Sequence, residues 1–441
     1  MPSDSAPSLR PRERDAIIQS LRAGVTPRTG LQHIQVGRVR EVAALLKDIE
    51  TVCDGGSAFR LVIGEFGSGK SFFLQLVRNI ALEKGLVTVH GDLSPDRRLH
   101  STGGLARNLY AELMRNLSTR TKPDGGALTS LVERFVTAAR KQADSSGKPV
   151  DRVIAERLSR LTELVGGYDF AKVIEAYWRG YEHDSEQLKS DAVRWLRGEF
   201  TTKTDARNAL GVRTIVDDSS VYDHFKLLSL FVRQAGYAGL FVILDEMVIL
   251  YKLPSQRARV SNYEQILRML NDCLQGSAEY VGFLLSGTPE FLLDSRKGLF
   301  SYEALQSRLA QNAFAQAAGV VDYSGPTLHL ANLTPEELLI LLKNLRRVVA
   351  TGDPENYLVP DEALTSFLAH CSNRIGDAYF RTPRNTVKAF VDLLSVLDQS
   401  SQLRWQDLIE QVDVQLEQNT DMPVVDIEEP EQDDGLASFR L

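Results

Sequence analysis

Apolar residues recur with two periods along this chain, and the switches between them mark its organisation. Five short runs are nearly continuous in apolar and β-branched residues: Phe59-Arg60-Leu61-Val62-Ile63, Leu86-Val87-Thr88-Val89-His90, Leu240-Phe241-Val242-Ile243-Leu244, Tyr280-Val281-Gly282-Phe283-Leu284-Leu285 and Thr327-Leu328-His329-Leu330. They predict strands, and the unbroken Leu240–Leu244 run suits a strand buried on both faces of a parallel sheet. Elsewhere the period is three to four residues. It predicts a helix over Asp15–Arg22, another through Glu41, Val42, Leu45, Leu46 and Ile49, and a third from Phe72 to Glu83 that completes a βαβ unit. From His100 to about Val221 the helical spacing takes over, as in Leu105, Leu109 and Leu113 or Ile154, Leu158, Leu161 and Leu164. Turn residues at Pro123-Asp124-Gly125-Gly126, Ser145-Ser146-Gly147-Lys148-Pro149 and Gly166-Gly167 separate these runs. The stretch predicts a helical insertion in an α/β core, with Tyr168, Phe170, Tyr177 and Trp178 in its interior. After the last strand, Thr334-Pro335-Glu336-Glu337 spells a capping box, and helices continue to about Leu416.

The expected division is an N-terminal segment 1–30, loose over 1–14; a first core part 31–100; the insertion 101–220; a second core part 221–331; a helical lid 332–418; and a tail 419–441. The tail concentrates Asp426, Glu428, Glu429, Glu431, Asp433 and Asp434, which predicts disorder, with Leu436, Phe439 and Leu441 as a frayed end. At 441 residues the chain exceeds the size at which one core stops growing, which agrees with several parts. Charged residues at 25% and hydrophobic ones at 43% are ordinary globular usage. A net charge of −7 argues against an overall basic nucleic-acid binder but not against a local basic face. Cys53, Cys273 and Cys371 lack metal-site or disulfide spacing and read as reduced thiols. No apolar run reaches about 18 residues, so the expectation is a cytoplasmic protein without a membrane span.

The most specific chemistry follows the first strand. Gly64-Glu65-Phe66-Gly67-Ser68-Gly69-Lys70-Ser71 fits G-x-x-x-x-G-K-[ST], where glycines let successive N–H groups turn toward phosphate oxygens at a helix start. Lys70 is expected on the β- and γ-phosphates of ATP, and the Ser71 hydroxyl on Mg²⁺. Gly37 and Arg38, ahead of the second helix, are placed beside the base. At the end of the Leu240–Leu244 run, Asp245 is positioned for the Mg²⁺ shell and Glu246 to orient or deprotonate the attacking water. Asp92, past the second strand, either faces the phosphates or caps its loop. Ser286 and Thr288 compete for contact with the γ-phosphate or the water. Arg384 begins a helix, where a cation opposes the macrodipole unless an anion such as phosphate compensates.

This order of motifs, from about residue 34 to 398, resembles the AAA+ ATPases, particularly the branch of origin-recognition, helicase-loading and transposition-regulator proteins. The resemblance implies an AAA+ P-loop NTPase core of α/β class with a parallel sheet, large helical insertion and C-terminal lid. It assigns sensor 1 to Ser286 or Thr288, sensor 2 to Arg384, and an arginine finger, acting across an ATP-dependent homo-oligomer, to Arg308 or secondarily Arg296. The loop-to-acid separation here is much longer than is usual in that superfamily. The phrases Leu21-Arg22-Ala23-Gly24-Val25-Thr26-Pro27-Arg28, Val36-Gly37-Arg38, the Gly64–Ser71 loop and Asp92-Leu93-Ser94-Pro95-Asp96-Arg97-Arg98-Leu99-His100 are similar to the ATP-binding family of bacterial BREX phage-defence systems, BrxC and BrxD. In length the chain is nearer the compact BrxD members. That likeness implies an ATPase working beside a helicase and a methyltransferase, with DNA as a candidate partner. The competing expectation is a nucleotide-gated switch or adaptor with slow hydrolysis that recruits a partner such as a helicase. Short basic clusters at Arg97-Arg98 with His100, and at Lys343 with Arg346-Arg347, are candidate DNA contacts.

Overall fold

The structure, a computed structural model, describes residues 9–400 and 402–411. The expected acidic tail and its apolar end lie outside the described residues. Each apolar run forms a strand: β1 (Ser57–Ile63), β2 (Val87–Asp92), β3 (Leu240–Asp245), β4 (Val281–Gly287) and β5 (Thr327–His329). They make one five-stranded sheet in the order β2-β3-β4-β1-β5, every pairing parallel. β2 extends two residues beyond the predicted run. The extra length pairs Asp92 with Asp245, and Leu93 N–H then donates to the Asp245 carbonyl at 3.0 Å.

Alternate side chains on each strand point to opposite faces, and each face has its own cover. Leu61, Ile63, Val89, Val242, Leu244, Phe283 and Leu285 join a core built with the helices between β2 and β3, among them Leu105–Arg115, Leu128–Ser146, Gly167–Glu182 and Val221–Gln234. Phe225, on the last of these helices, meets Phe283 edge-on at 6.3 Å, so the helical stretch between β2 and β3 packs directly on the sheet. Val62, Phe241, Ile243, Leu284 and Leu328 face the other way, onto the helices Val39–Cys53 and Lys70–Glu83. Within the insertion Phe170, Tyr177 and Trp178 are buried as expected, whereas Tyr168 is 58% exposed with the Lys172 ammonium 5.1 Å from its ring centre. It lies in the first turn of its helix, off the buried stripe.

A separate core holds the C-terminal helices Pro335–Val349, Asp361–Ile375 and Pro383–Gln399 together through Leu338, Leu342, Phe367, Phe390 and Leu394. The capping box forms as read: Thr334 Oγ1 accepts from Glu337 N–H, and Glu337 Oε2 accepts from Thr334 N–H. The first helix, Pro11–Arg22, joins this core through Ile17, and Arg22 pairs with Asp392 at 3.1 Å. It begins earlier than the apolar spacing indicates. Pro11 is suited to a first helical position, and the Glu13 carboxylate accepts the Arg10 N–H at 3.2 Å. Among the described residues no helix is long and apolar enough to cross a membrane.

Gly282 marks where the second face is tightest, since a Cβ there would enter the Phe241 ring. Gly282→Val is expected to lower stability by about 1–3 kcal/mol through overpacking, measured as a shifted urea midpoint at constant slope. An unshifted midpoint would show that the sheet and its helices can separate without cost.

Candidate nucleotide site

The site is assembled at the carboxyl ends of β1, β3 and β4. After Ile63 the chain turns through Gly64–Gly69 into the helix Lys70–Glu83. Gly67 and Gly69 have φ of +77° and +85°, which glycine adopts readily and L-residues resist. At Gly64 a Cβ would stand 2.5 Å from Ser68 Oγ. That hydroxyl is buried and has no hydrogen-bond partner among the described residues. Lys70 Nζ bends back and donates to the carbonyls of Gly64 and Glu65, each at 2.9 Å. Burial holds its ammonium below the usual lysine range, partly offset by Asp245 and Glu246.

Asp245 is the most heavily bonded acid of the site. Its carboxylate accepts from Ser71 Oγ at 2.8 Å, from Glu246 N–H at 2.9 Å, and from Ser286 Oγ. Glu246 follows with φ of +59°, an unusual left-handed conformation for a residue with a side chain. Desolvation in the cleft raises the Glu246 carboxyl above its ordinary range, and Asp245 and then Asp92 raise it further. Asp92 is raised for the same first reason, with Asp245 next. The two candidate hydroxyls separate clearly. Ser286 is wholly buried on β4 and reaches Asp245, whereas Thr288 caps the short helix Pro289–Leu293, accepting from Phe291 N–H at 3.4 Å.

The other side of the loop is covered by the segment before the second helix and by the C-terminal helices. Gly37 (φ +64°) lies so close to Glu337 that a Cβ would come within 2.5 Å of its Oε1. The Arg38 guanidinium donates to the carbonyls of Ala331 and, at 3.3 Å, Ser68. Asn332 Nδ2 donates to Glu65 Oε2 at 2.9 Å. Thr382 packs on Gly67, and the Arg384 guanidinium lies 5.8 Å from the Phe66 ring centre. Gly37, Arg38, Arg384 and the whole Gly64–Ser71 loop are thus brought together with Asp245, Glu246 and Ser286. Arg308 and Arg296 stand apart. Arg308, exposed on the helix Glu303–Leu309, donates to Asn271 Oδ1 at 2.8 Å and to the Ala304 carbonyl at 2.7 Å. Arg296 is exposed in the turn after Leu293.

Asn332 escaped the sequence reading, and its position directly after β5 was the available signal. The proposed basic clusters are largely paired or buried. Arg97 is 3.6 Å from Glu112, Arg98 is buried, and Arg346 and Lys343 reach Asp361 at 2.6 Å and 3.4 Å.

A parallel five-stranded sheet whose first strand leads through a glycine-rich loop into a helix, with an acid at the end of β3 hydrogen-bonded to that helix, is consistent with a P-loop NTPase-like fold. The family model described as BREX system ATP-binding protein BrxC/D matches residues 9–413, and the chain belongs to that family. The family is one of ATP-binding proteins of BREX defence. No curated protein matches the chain.

Because the Glu246 and Asp92 pKa values are raised in the folded chain, their protons favour folding. That contribution is complete below about pH 4 and is lost as the pH rises through the raised folded values. Glu246→Gln and Asp92→Asn should therefore each raise the Tm of the nucleotide-free protein near neutral pH, with the gain vanishing toward about pH 4. Calorimetry at the two pH values checks this, and a gain independent of pH would contradict it.

Proposed function

We propose that the protein is a Mg-dependent ATPase with an AAA+ core, in which the Gly64–Ser71 loop is a Walker A motif and Asp245-Glu246 a Walker B motif. The observation that carries the reading is the Ser71–Asp245 hydrogen bond, which joins the loop helix to the strand-end acid. A triphosphate would take the loop N–H groups and draw Lys70 off the Gly64 and Glu65 carbonyls. Among the described residues no cluster of three His, Cys, Asp or Glu side chains could hold a metal. The chemistry of the Ser71 hydroxyl and Asp245 carboxylate nevertheless suits Mg²⁺, which keeps water and phosphate oxygens as most of its ligands. When bound it would neutralise charge on the phosphates. Glu246, beside Asp245 and in electrostatic range of Lys70, is the base that orients the attacking water. Ser286, rather than Thr288, serves as sensor 1, because its hydroxyl already bonds the acid.

Arg384 acts as sensor 2 and Arg308 as the finger offered to a second copy in an ATP-dependent homo-oligomer, with a helicase or methyltransferase of the defence system as further partners. Lys70→Ala should abolish ATP affinity in calorimetry. Glu246→Gln should retain affinity and lose turnover about 100-fold or more. Unchanged turnover in Glu246→Gln would remove that residue from the mechanism.

The nucleotide-gated switch is the second reading, favoured by the lid contacts of Thr382 on Gly67 and Arg384 on Phe66. A ligand in the loop would change those contacts and so bias the lid. On this reading Arg384→Ala alters ATP-dependent partner binding or particle mass more than it alters turnover, with both measured on the same preparation. An equal effect on both, or none, would favour the hydrolysing reading.

A further inference from the structure

The helix Lys70–Glu83 and the edge strand β2 carry a second cluster of cations, beyond the glycine-rich loop. Arg78 is 4% exposed, yet among the described residues no acid forms an ion pair with it. Its Nη2 donates to Ser118 Oγ at 2.7 Å and to the Pro123 carbonyl, while its Nε–H is buried without a partner. Ser118 bridges to Thr88 of β2, whose Oγ1 is likewise buried and unpartnered. His90 follows on the same face of that strand, and its Nδ1 repeats the pattern. The third cation comes from the segment Leu21–Arg28, which the nucleotide site leaves unused. The Arg28 carbonyl accepts from Gln75 Nε2 at 3.4 Å and Asn79 Nδ2 at 3.5 Å, on the helix that bears Arg78. The Arg28 guanidinium is exposed and makes no ion pair or hydrogen bond among the described residues.

These groups act on one another. The Arg78 guanidinium is held down at about 10, by burial first and then by Arg28, with the exposed Asp124 offsetting a smaller part. Burial, then Arg78, then Arg28 push His90 down to about 4. Bracing the turn at Ser118 and Pro123 occupies only Nη2 of Arg78. A buried guanidinium ordinarily faces a carboxylate, because neutral oxygens compensate its desolvation incompletely. Left over here are N–H donors from the helix, from β2 and from the N-terminal segment. Donors arriving from three segments suit a tetrahedral oxyanion, which accepts from several directions and adds the missing negative charge. Gln75, Asn79 and His90 are half-buried and Arg28 is exposed, so the cluster opens to solvent on that side. Arg78 is seven residues beyond Ser71, about 10 Å along the helix at 1.5 Å per residue, which separates the cluster from the loop.

We infer that Arg28, Arg78 and His90 form a second oxyanion site, which takes a phosphoryl group, free or on an ester, independently of the Gly64–Ser71 loop. The inference does not rest on the ATPase reading. The test titrates inorganic phosphate, AMP and adenosine by calorimetry into the full chain, both as wild type and as Lys70→Ala, which disables the loop. Saturable binding of inorganic phosphate or AMP with Kd below about 1 mM is expected to survive Lys70→Ala. Arg28→Gln, made in both backgrounds, should weaken it at least tenfold, with His90→Ala giving a smaller loss. Arg347→Ala, exposed on the helix Pro335–Val349, should give none. Because the Arg28 side chain is exposed and holds no partner, Arg28→Gln should keep the wild-type melting profile by circular dichroism. Binding of phosphate alone identifies the free anion as the ligand, and tighter binding of AMP identifies the ester. The inference is overturned by the absence of binding by both, by adenosine binding as well as AMP, by loss of binding in folded Lys70→Ala, or by unchanged binding in Arg28→Gln. Failure of the ATPase reading would instead show as missing ATP affinity in the wild type, with the Lys70→Ala titrations unaffected.

Discussion

The carboxylate of Asp245 is the point on which the site depends. A charge at the end of the apolar strand Leu240–Asp245 needs compensation, and three donors from three places supply it: Ser71 from the loop helix, Ser286 from the adjacent strand, and the N–H of Glu246. These contacts require the strand order. β4 lies between β1 and β3, so the loop following β1 can reach the acid following β3 only across the end of β4, where Ser286 stands. The same order explains how so long an insertion is accommodated. It leaves the end of β2 and returns at the start of β3, and those strands are hydrogen-bonded neighbours. Whatever lies between is free to grow outward without disturbing the pairing.

Much of this was legible in the sequence because the relevant signals are local. A strand of five apolar residues, a glycine-rich turn and a capping box each follow from side chains a few positions apart, and all five strands and the box appear where they were read. Ser286 and Thr288 could not be separated in that way. They are two residues apart at a strand end, and the decision falls to the neighbouring strand, because Ser286 lies on the buried run of β4 while Thr288 has already left it to cap a helix. Asn332 was illegible for a similar reason. Its partner, Glu65, is distant in sequence and becomes a neighbour only once β5 pairs with β1.

Charge was the least legible property. Arg97-Arg98 and Arg346-Arg347 look alike as runs, yet Arg98 and Arg346 are buried, and Arg346 is held between Asp361 and the Tyr357 ring at 4.1 Å. The N-terminal helix shows the same limit. Its apolar spacing announces a buried face without saying where, and the structure seats Ile17 in the core of the C-terminal helices, with Gly24 against Arg384. The first helix and the C-terminal helices therefore share one core beside the glycine-rich loop.

The balance of charge in that cleft constrains what it can accept. Asp92, Asp245 and Glu246 lie on two adjacent strand ends, and both Asp92 and Glu246 hold their protons more tightly than an isolated carboxyl because of desolvation and their neighbours. Lys70, the ammonium facing them, is turned onto loop carbonyls. A bare triphosphate would bring several negative charges to an already acidic wall, and its repulsion from these carboxylates would oppose the attraction of the loop N–H groups. On the ATPase reading, a divalent cation accompanying the phosphates reverses the sign of that interaction at Asp245, and Arg384 supplies a second positive charge from the lid side. The acid wall that disfavours the free nucleotide is then what selects its metal complex.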